Sequence, residues 1–209
     1  VDWLSGGLGG PGDKEVFRAV RSLPDVILVA AGTVRAEGYG PPRPSEEVQR
    51  RRRARGQHAT PRFAIVTRRL DLDPDAPLFR EAVADARPLI LTTDEAAAGA
   101  PAALRAVAEV RATGASSVDL PRALRRLRTE GTASVVLCEG GPSLNGALVE
   151  QHLVDELCIS VSPLLVGGDA VRLAHGKRAT PTAFTLTRAL EDDGMLFLRY
   201  GRSGAVPAS

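Results

Sequence analysis

Short apolar runs alternate with amphipathic stretches along most of this chain. Residues 25–30 (DVILVA), 62–67 (RFAIVT), 88–92 (PLILT), 133–138 (ASVVLC) and 157–161 (LCISV) each read as a buried strand. They are rich in Val, Ile and Leu and are bounded by Gly, Pro, Asp or Arg. Between them the apolar spacing lengthens. Leu120, Ala123, Leu124 and Leu127 recur at helical intervals behind Asp119, a residue suited to cap a helix. Leu144, Ala147 and Leu148 repeat the pattern one strand later. Strands alternating with helices predict an α/β fold, with a mainly parallel sheet covered on both faces. The end of the chain differs. Residues 184–190 and 195–200 flank Asp193-Gly194, a hairpin signature. This antiparallel C-terminal hairpin is expected at the edge of the parallel sheet.

Residues 39–61 break the rhythm with Pro and Arg, including a basic helical piece from about Ser45 to Arg55. The run Arg50 to Arg53 has no aromatic interleaving and follows Glu46 and Glu47. It reads as a solvated insertion helix rather than an RNA-binding patch. The tail from about residue 201 reads as loose. A chain of 209 residues suits one domain spanning 1–209. A net charge of +2 gives no global attraction to nucleic acid or a membrane surface. No apolar run approaches the roughly 20 residues of a membrane span. Cys138 and Cys158 lie in apolar runs and read as buried thiols. No His stands at ligand spacing from them, so no metal site is expected. Few cysteines and no targeting segment fit the cytoplasm. His58, His152 and His175 have no nucleophile partner implied by spacing, so none is assigned a triad role.

Three strand ends carry candidate chemistry. In residues 138–148 (CEGGPSLNGAL) a strand gives way to Glu139, a Gly-Gly pair and a helix opening at Pro142 and Ser143. Glycines let a phosphate approach the main chain, and helix N-termini attract anions. A plain glycine turn accounts for the same letters. In residues 30–37 (AAGTVRAE), Gly32 and Thr33 follow another strand. Thr33 either caps a helix or bonds a cofactor oxygen. In residues 66–69 (VTRR), Arg68 and Arg69 either grip a phosphate or face solvent. Three such loops at strand ends together suit an extended, multiply anionic ligand.

The blocks DVILVAAGTVRAE, PRFAIVTRR and VVLCEGGPSLNGALVEQHLVDELCISVSPLLVGGD, in that order, resemble the reductase domain of bifunctional riboflavin deaminase-reductases. The resemblance runs from about Ser5 to Tyr200 and implies a dihydrofolate-reductase-like three-layer sandwich. It implies an NADPH-dependent pyrimidine reductase that transfers hydride to the ribosyl carbon of a phosphoribosylaminopyrimidine. It also implies a homodimer, to which the apolar 157–166 run and the hairpin add support. The companion deaminase's HxE and PCxxC zinc motifs are absent from these letters.

Carried over by position, the resemblance places Gly32, Thr33 and Glu37 at the NADPH site and Arg68 and Arg69 at its 2′-phosphate. Gly140, Gly141, Pro142, Ser143 and Leu144 fall under the cofactor phosphates, with a cis Gly140–Gly141 bond. Ser5, Arg21 and Glu139 face the substrate, Arg21 toward its phosphate. Glu139 is also the candidate catalytic residue, either protonating the substrate or only positioning it. Two departures stand out. EGYGPPR (residues 37–43) replaces the family's Asp-Asp-Pro-x-Leu-Thr segment, which leaves room for a pteridine or dihydrofolate substrate or for a non-catalytic nucleotide-binding protein. The family's opening strand, with its Ser-x-Asp-Gly motif, is expected before residue 1.

Overall fold

The computed structural model describes residues 7–167, 172–178 and 181–204. The chain divides into two compact units, Arg21–Gly141 and Val1–Val20 with Pro142–Ser209.

In the first unit, β1 (Val26–Ala30), β2 (Arg62–Val66), β3 (Leu89–Thr93), β4 (Glu109–Gly114) and β5 (Val136–Cys138) form a parallel sheet in the order β4-β3-β2-β1-β5. The three central strands read as unbroken apolar runs because both of their faces are covered. Ile27, Val29, Phe63, Ile65 and Ile90 join one core cluster with Leu78, Phe79 and Leu104. Leu28, Ala64, Leu89 and Leu91 are buried outside that cluster, as are Leu120, Ala123 and Leu127 of α7 (Leu120–Gly131). Asp119 caps α7 through Arg122 N.

The sequence reading missed β4. Its Glu109 and Arg111 look like loop residues, but they face partners. Arg62 donates to Glu109 at 2.5 Å, Arg111 pairs with Glu109, and Arg111 reaches Glu130 of α7 at 3.2 Å. Ala108, Val110 and Ala112 do alternate with Glu109 and Arg111, but Val110 is the one large apolar side chain among them, so the alternation is a faint mark.

The basic insertion forms α3 (Glu46–Ala54), capped by Ser45. It is not wholly solvated as expected. Arg52 is fully buried and donates to the main-chain carbonyls of Ser22, Pro24 and His58. A helical period places one arginine of the run inward while its neighbours stay out.

In the second unit, β6 (Glu156–Val161), β7 (Phe184–Asp192) and β8 (Met195–Arg202) form an antiparallel sheet in the order β6-β8-β7. The hairpin is present, and Asp193 and Gly194 both take positive φ as a primed turn requires. Its partner is β6, however, not the edge of the parallel sheet. Gly201 and Arg202 belong to β8, and Ser203 N donates to Ala183 O, so the chain is ordered past the expected start of a loose tail. Cys158 is exposed rather than buried, because its strand is open to solvent among the described residues. No helix among the described residues is long and apolar enough to cross a membrane.

Candidate functional site

The sheet order reverses at β1. The chain steps outward from β1 through β2 and β3 to β4, then returns to place β5 on the other side of β1. Ligands of open α/β sheets sit beyond the carboxyl ends of strands at such a reversal. Three loops leave that edge side by side, from β5, β1 and β2.

The β5 loop is Glu139-Gly140-Gly141. It extends the pairing with β1 through Glu139 N to Leu28 O and Ala30 N to Gly140 O. Gly140 has φ 87°, a left-handed conformation that favours glycine, and the Gly140–Gly141 bond is cis. A Cβ on Gly141 would stand 2.7 Å from Thr33 Oγ1, so the loop and α2 (Ala31–Glu37) approach closely. Helix α2 begins directly at Ala31, and Ala30 offers no side-chain cap. Thr33 therefore lies inside the first turn and is not the cap. A Cβ on Gly32 would meet nothing nearer than Arg35 Nη2 at 4.0 Å. Glu37 ends α2, one turn from Thr33 on the same side.

After β2, Thr67 Oγ1 accepts from Arg69 N and Leu70 N at 3.3 and 3.2 Å, which folds the loop back. Arg35 Nη1 ties this loop to α2 through Asp71 O at 2.7 Å. Arg68 and Arg69 are exposed, and their side chains make no hydrogen bond or ion pair with the described residues. Val66 lies beside Ala30 in the ladder, and strands are spaced about 4.8 Å apart. The glycine pair, Gly32-Thr33 and the arginine pair thus follow one another along a single sheet edge. Pro142, Ser143 and Leu144 open α8 (Pro142–Glu150) in the other unit. Ser143 is exposed, whereas Leu144 is buried. Ser5 lies outside the described residues.

Glu139 is held on several sides. Arg21 grips it as a fork, Nε to Oε1 at 2.7 Å and Nη2 to Oε2 at 2.6 Å. Tyr39 Oη donates to Oε2 at 2.9 Å. The Glu139 side chain is 5% exposed and that of Arg21 28%. The Tyr39 ring packs edge-on against Phe63 at 5.6 Å, and the Arg21 guanidinium lies 5.5 Å from the Tyr39 ring centre. Burial, and then the neighbouring carboxylate, push the Tyr39 hydroxyl well above its ordinary range, so it stays a donor. A carboxylate offers about four acceptor positions. With three filled, Glu139 can accept one further donor, at Oε1. Burial also raises the Cys138 thiol, which removes it as a thiolate nucleophile.

Sequence reasoning singled out Arg21, Thr33, Glu139 and the glycines, and the structure brings Arg21 to Glu139 and Thr33 to Gly141. It missed Tyr39. The one mark of Tyr39 was its place as the aromatic residue of the divergent EGYGPPR segment, and nothing local pointed to its partner. Two surface depressions are lined by other residues, one by Phe79, Arg87 and Val107 and one by Pro42, Thr60 and Glu81.

Comparison with known proteins gives a consistent picture. A family model described as the RibD C-terminal domain matches residues 2–196. A 2,5-diamino-6-ribosylamino-4(3H)-pyrimidinone 5′-phosphate reductase of Methanothermobacter thermautotrophicus is 32% identical over 171 residues, covering 81% of this chain and 74% of its own length. A reductase of the same name from Archaeoglobus fulgidus is 29% identical over 156 residues, covering 75% and 69%. Among solved structures, a pyrimidine reductase-like protein of Corynebacterium diphtheriae superposes with a TM-score of 0.85 at 23% identity, covering 97% of this chain and 85% of that one. The dihydrofolate-reductase-like α/β fold, the ordered strand-end loops and the extent of the family match agree, and the chain belongs to the RibD C-terminal domain family.

Proposed function

We propose that this protein is an NADPH-dependent reductase that converts the ribosylamino group of a pyrimidine 5′-phosphate to a ribitylamino group. The observation that carries the reading is the carboxyl edge of β5, β1 and β2. It presents a glycine pair, a glycine with open space beside it, and two exposed arginines without a side-chain partner among the described residues. The residues fit the cofactor. The space over Gly32 admits a close backbone approach, and exposed guanidinium forks suit a 2′-phosphate. Thr33 offers a hydroxyl beside the Gly140-Gly141 loop, Glu37 lies one turn on, and the resemblance adds Pro142, Ser143 and Leu144 from the first turn of α8. When bound, NADPH would supply a hydride for the ring-opened ribosylamino carbon, and solvent would supply the accompanying proton.

The protein's own part is to orient and to exclude water. Arg21 and Tyr39 hold Glu139 as an acceptor with both oxygens engaged. In this reading Glu139 positions the substrate through one donor bonded to Oε1, and the protein does not use it as an acid. Arg21 holds Glu139 beside the substrate-phosphate role that the resemblance implies for it. We also propose a homodimer. On one face of the antiparallel sheet, Tyr200 pairs with Leu157 and Leu186, Leu198 with Ile159 and Ala189, and Leu196 with Val161. Much of this face is exposed, including Val161, Leu186 and Leu196, and a second copy would cover it. The free thiols suit the reducing cytoplasm.

A steady-state assay tests the function. NADPH should be oxidised in the presence of a ribosylaminopyrimidine 5′-phosphate and not with dihydrofolate. Because Tyr39 stands in the segment where the family's substrate-touching residues differ, turnover of the pteridine instead would favour that second reading. Turnover of neither would favour a non-catalytic nucleotide-binding protein.

A further inference from the structure

We propose that the arginine-rich insertion is a positioning element for the Arg21–Glu139 fork, and that it acts through Arg52, Arg55 and Gln57 together with Asp25 at the entry to β1. The inference rests on the proposed substrate role of Glu139 and assigns a purpose to a segment that the cofactor and substrate groups leave unused.

The observations form one connected bracket. Arg21 is followed directly by the turn Ser22-Leu23-Pro24-Asp25, which leads into β1. The insertion holds nearly every outward group of that turn. Arg52 Nη1 donates to Ser22 O at 3.0 Å and Pro24 O at 2.7 Å. Arg55 Nη2 donates to Ser22 O at 3.0 Å. Gln57 Nε2 donates to Leu23 O at 2.9 Å and to Asp25 Oδ1 at 2.8 Å. The other oxygen of Asp25 then reaches the far side of the sheet, where Oδ2 accepts from Ser134 N and Val135 N at 2.8 and 2.9 Å. Those two residues precede β5, and β5 ends beside Glu139.

The bracket therefore grips both chain segments that deliver the fork, one just after Arg21 and the other just before β5. Strand β5 pairs with β1 over Val136–Cys138, and main-chain bonds prolong the pairing at both ends, Asp25 N to Val135 O at 2.9 Å and Ala30 N to Gly140 O at 2.7 Å. A slip of one residue moves a strand by about 3.3 Å and turns each side chain to the opposite face. Glu139 would then face away from Arg21 and Tyr39. The Asp25 carboxylate adds two bonds to that register at its entry, and Gln57 of the insertion holds the carboxylate. The burial of Arg52 fits this role. It meets carbonyl groups rather than a carboxylate, so its guanidinium orders main chain instead of neutralising charge. Among the described residues, the ion pairs of Arg50 and Arg51 of the same helix go to Glu47 at the surface, outside the bracket.

The test uses the full chain and compares Asp25→Asn and Gln57→Ala with Arg51→Ala as the control. Substrate KM, kcat, NADPH dissociation constant and melting temperature are measured for each. The bracket predicts that both variants fold and hold NADPH within about twofold of the parent, while kcat/KM for the pyrimidine falls about tenfold or more, since an ångström of misplacement costs up to about a hundredfold. The control should match the parent in all four. A parallel loss of NADPH and substrate affinity tracking the melting temperature would mean a merely structural role and overturn the proposal, as would no change in either. A crystal structure of Asp25→Asn gives a readout independent of turnover. A broken Arg21–Glu139 fork in an otherwise intact sheet is expected, and an intact fork would overturn the proposal. If the parent turns over no pyrimidine, the reductase reading falls, and the fork in that crystal still decides the positioning claim.

Discussion

At Glu139 the neighbours have filled all acceptor positions but one, and this makes Tyr39 a sensitive residue. Replacing it with Phe keeps the ring against Phe63 and removes one hydrogen bond to a charged group, worth about 1.5–3 kcal/mol. Tyr39→Phe should lower unfolding free energy by about that amount in a urea titration and loosen the carboxylate, with kcat/KM reduced; unchanged stability would remove Tyr39 from the site. Gly32 gives a complementary test. The protein has room for a methyl there, and Ala is better than Gly in a helix by up to about 1 kcal/mol. Gly32→Ala should therefore leave the melting temperature equal or higher while weakening NADPH about tenfold. Equal affinity would mean that no ligand approaches that backbone. Glu139 and the glycines were legible because strand, carboxylate and Gly-Gly stand together in eleven letters. Tyr39 was not, because its partner lies a hundred residues away and hydroxyl-to-carboxylate pairing leaves no periodic mark.

Among the elements, the central strands declared themselves, since burial on both faces produces continuous apolar runs. Strand β4 was hidden by its charges, and those charges make a pH prediction. Burial works to raise the Glu109 carboxyl, but hydrogen bonds from Arg62 and Arg111 outweigh it, so the group titrates below its usual 4.5. A carboxyl lowered on folding adds stability above its unfolded value and loses it as pH falls through the folded one. The parent should thus lose urea resistance as pH drops below about 4.5, and Glu109→Gln should lose less over that window. Identical pH slopes for the two would show that Glu109 is not depressed. Helix α3 was legible as a helix, but not its inward arginine, because four consecutive arginines look alike until a neighbour supplies the carbonyls. Arg52→Met should cost about 3 kcal/mol, as buried carbonyls lose their donor.

For the whole molecule, the hairpin was visible in the letters, but its separation from the parallel sheet was not. Local alternation specifies that a strand pairs, while the choice of neighbour depends on contacts far along the chain. The exposed row from Leu157 to Leu196 gives the homodimer expectation, and light scattering at micromolar concentration should return twice the 22.0 kDa chain mass. The central claim is that the edge of β5, β1 and β2 holds the phosphates of NADPH. Calorimetric titration of the parent and of the Arg68→Ala, Arg69→Ala double variant with NADPH and with NADH tests it most directly. The account predicts that NADPH binds the parent much more tightly than NADH, and that the double substitution weakens NADPH by about 2 kcal/mol, roughly thirtyfold, with NADH little changed. Equal losses for the two nucleotides, or no binding of either to the parent, would contradict it.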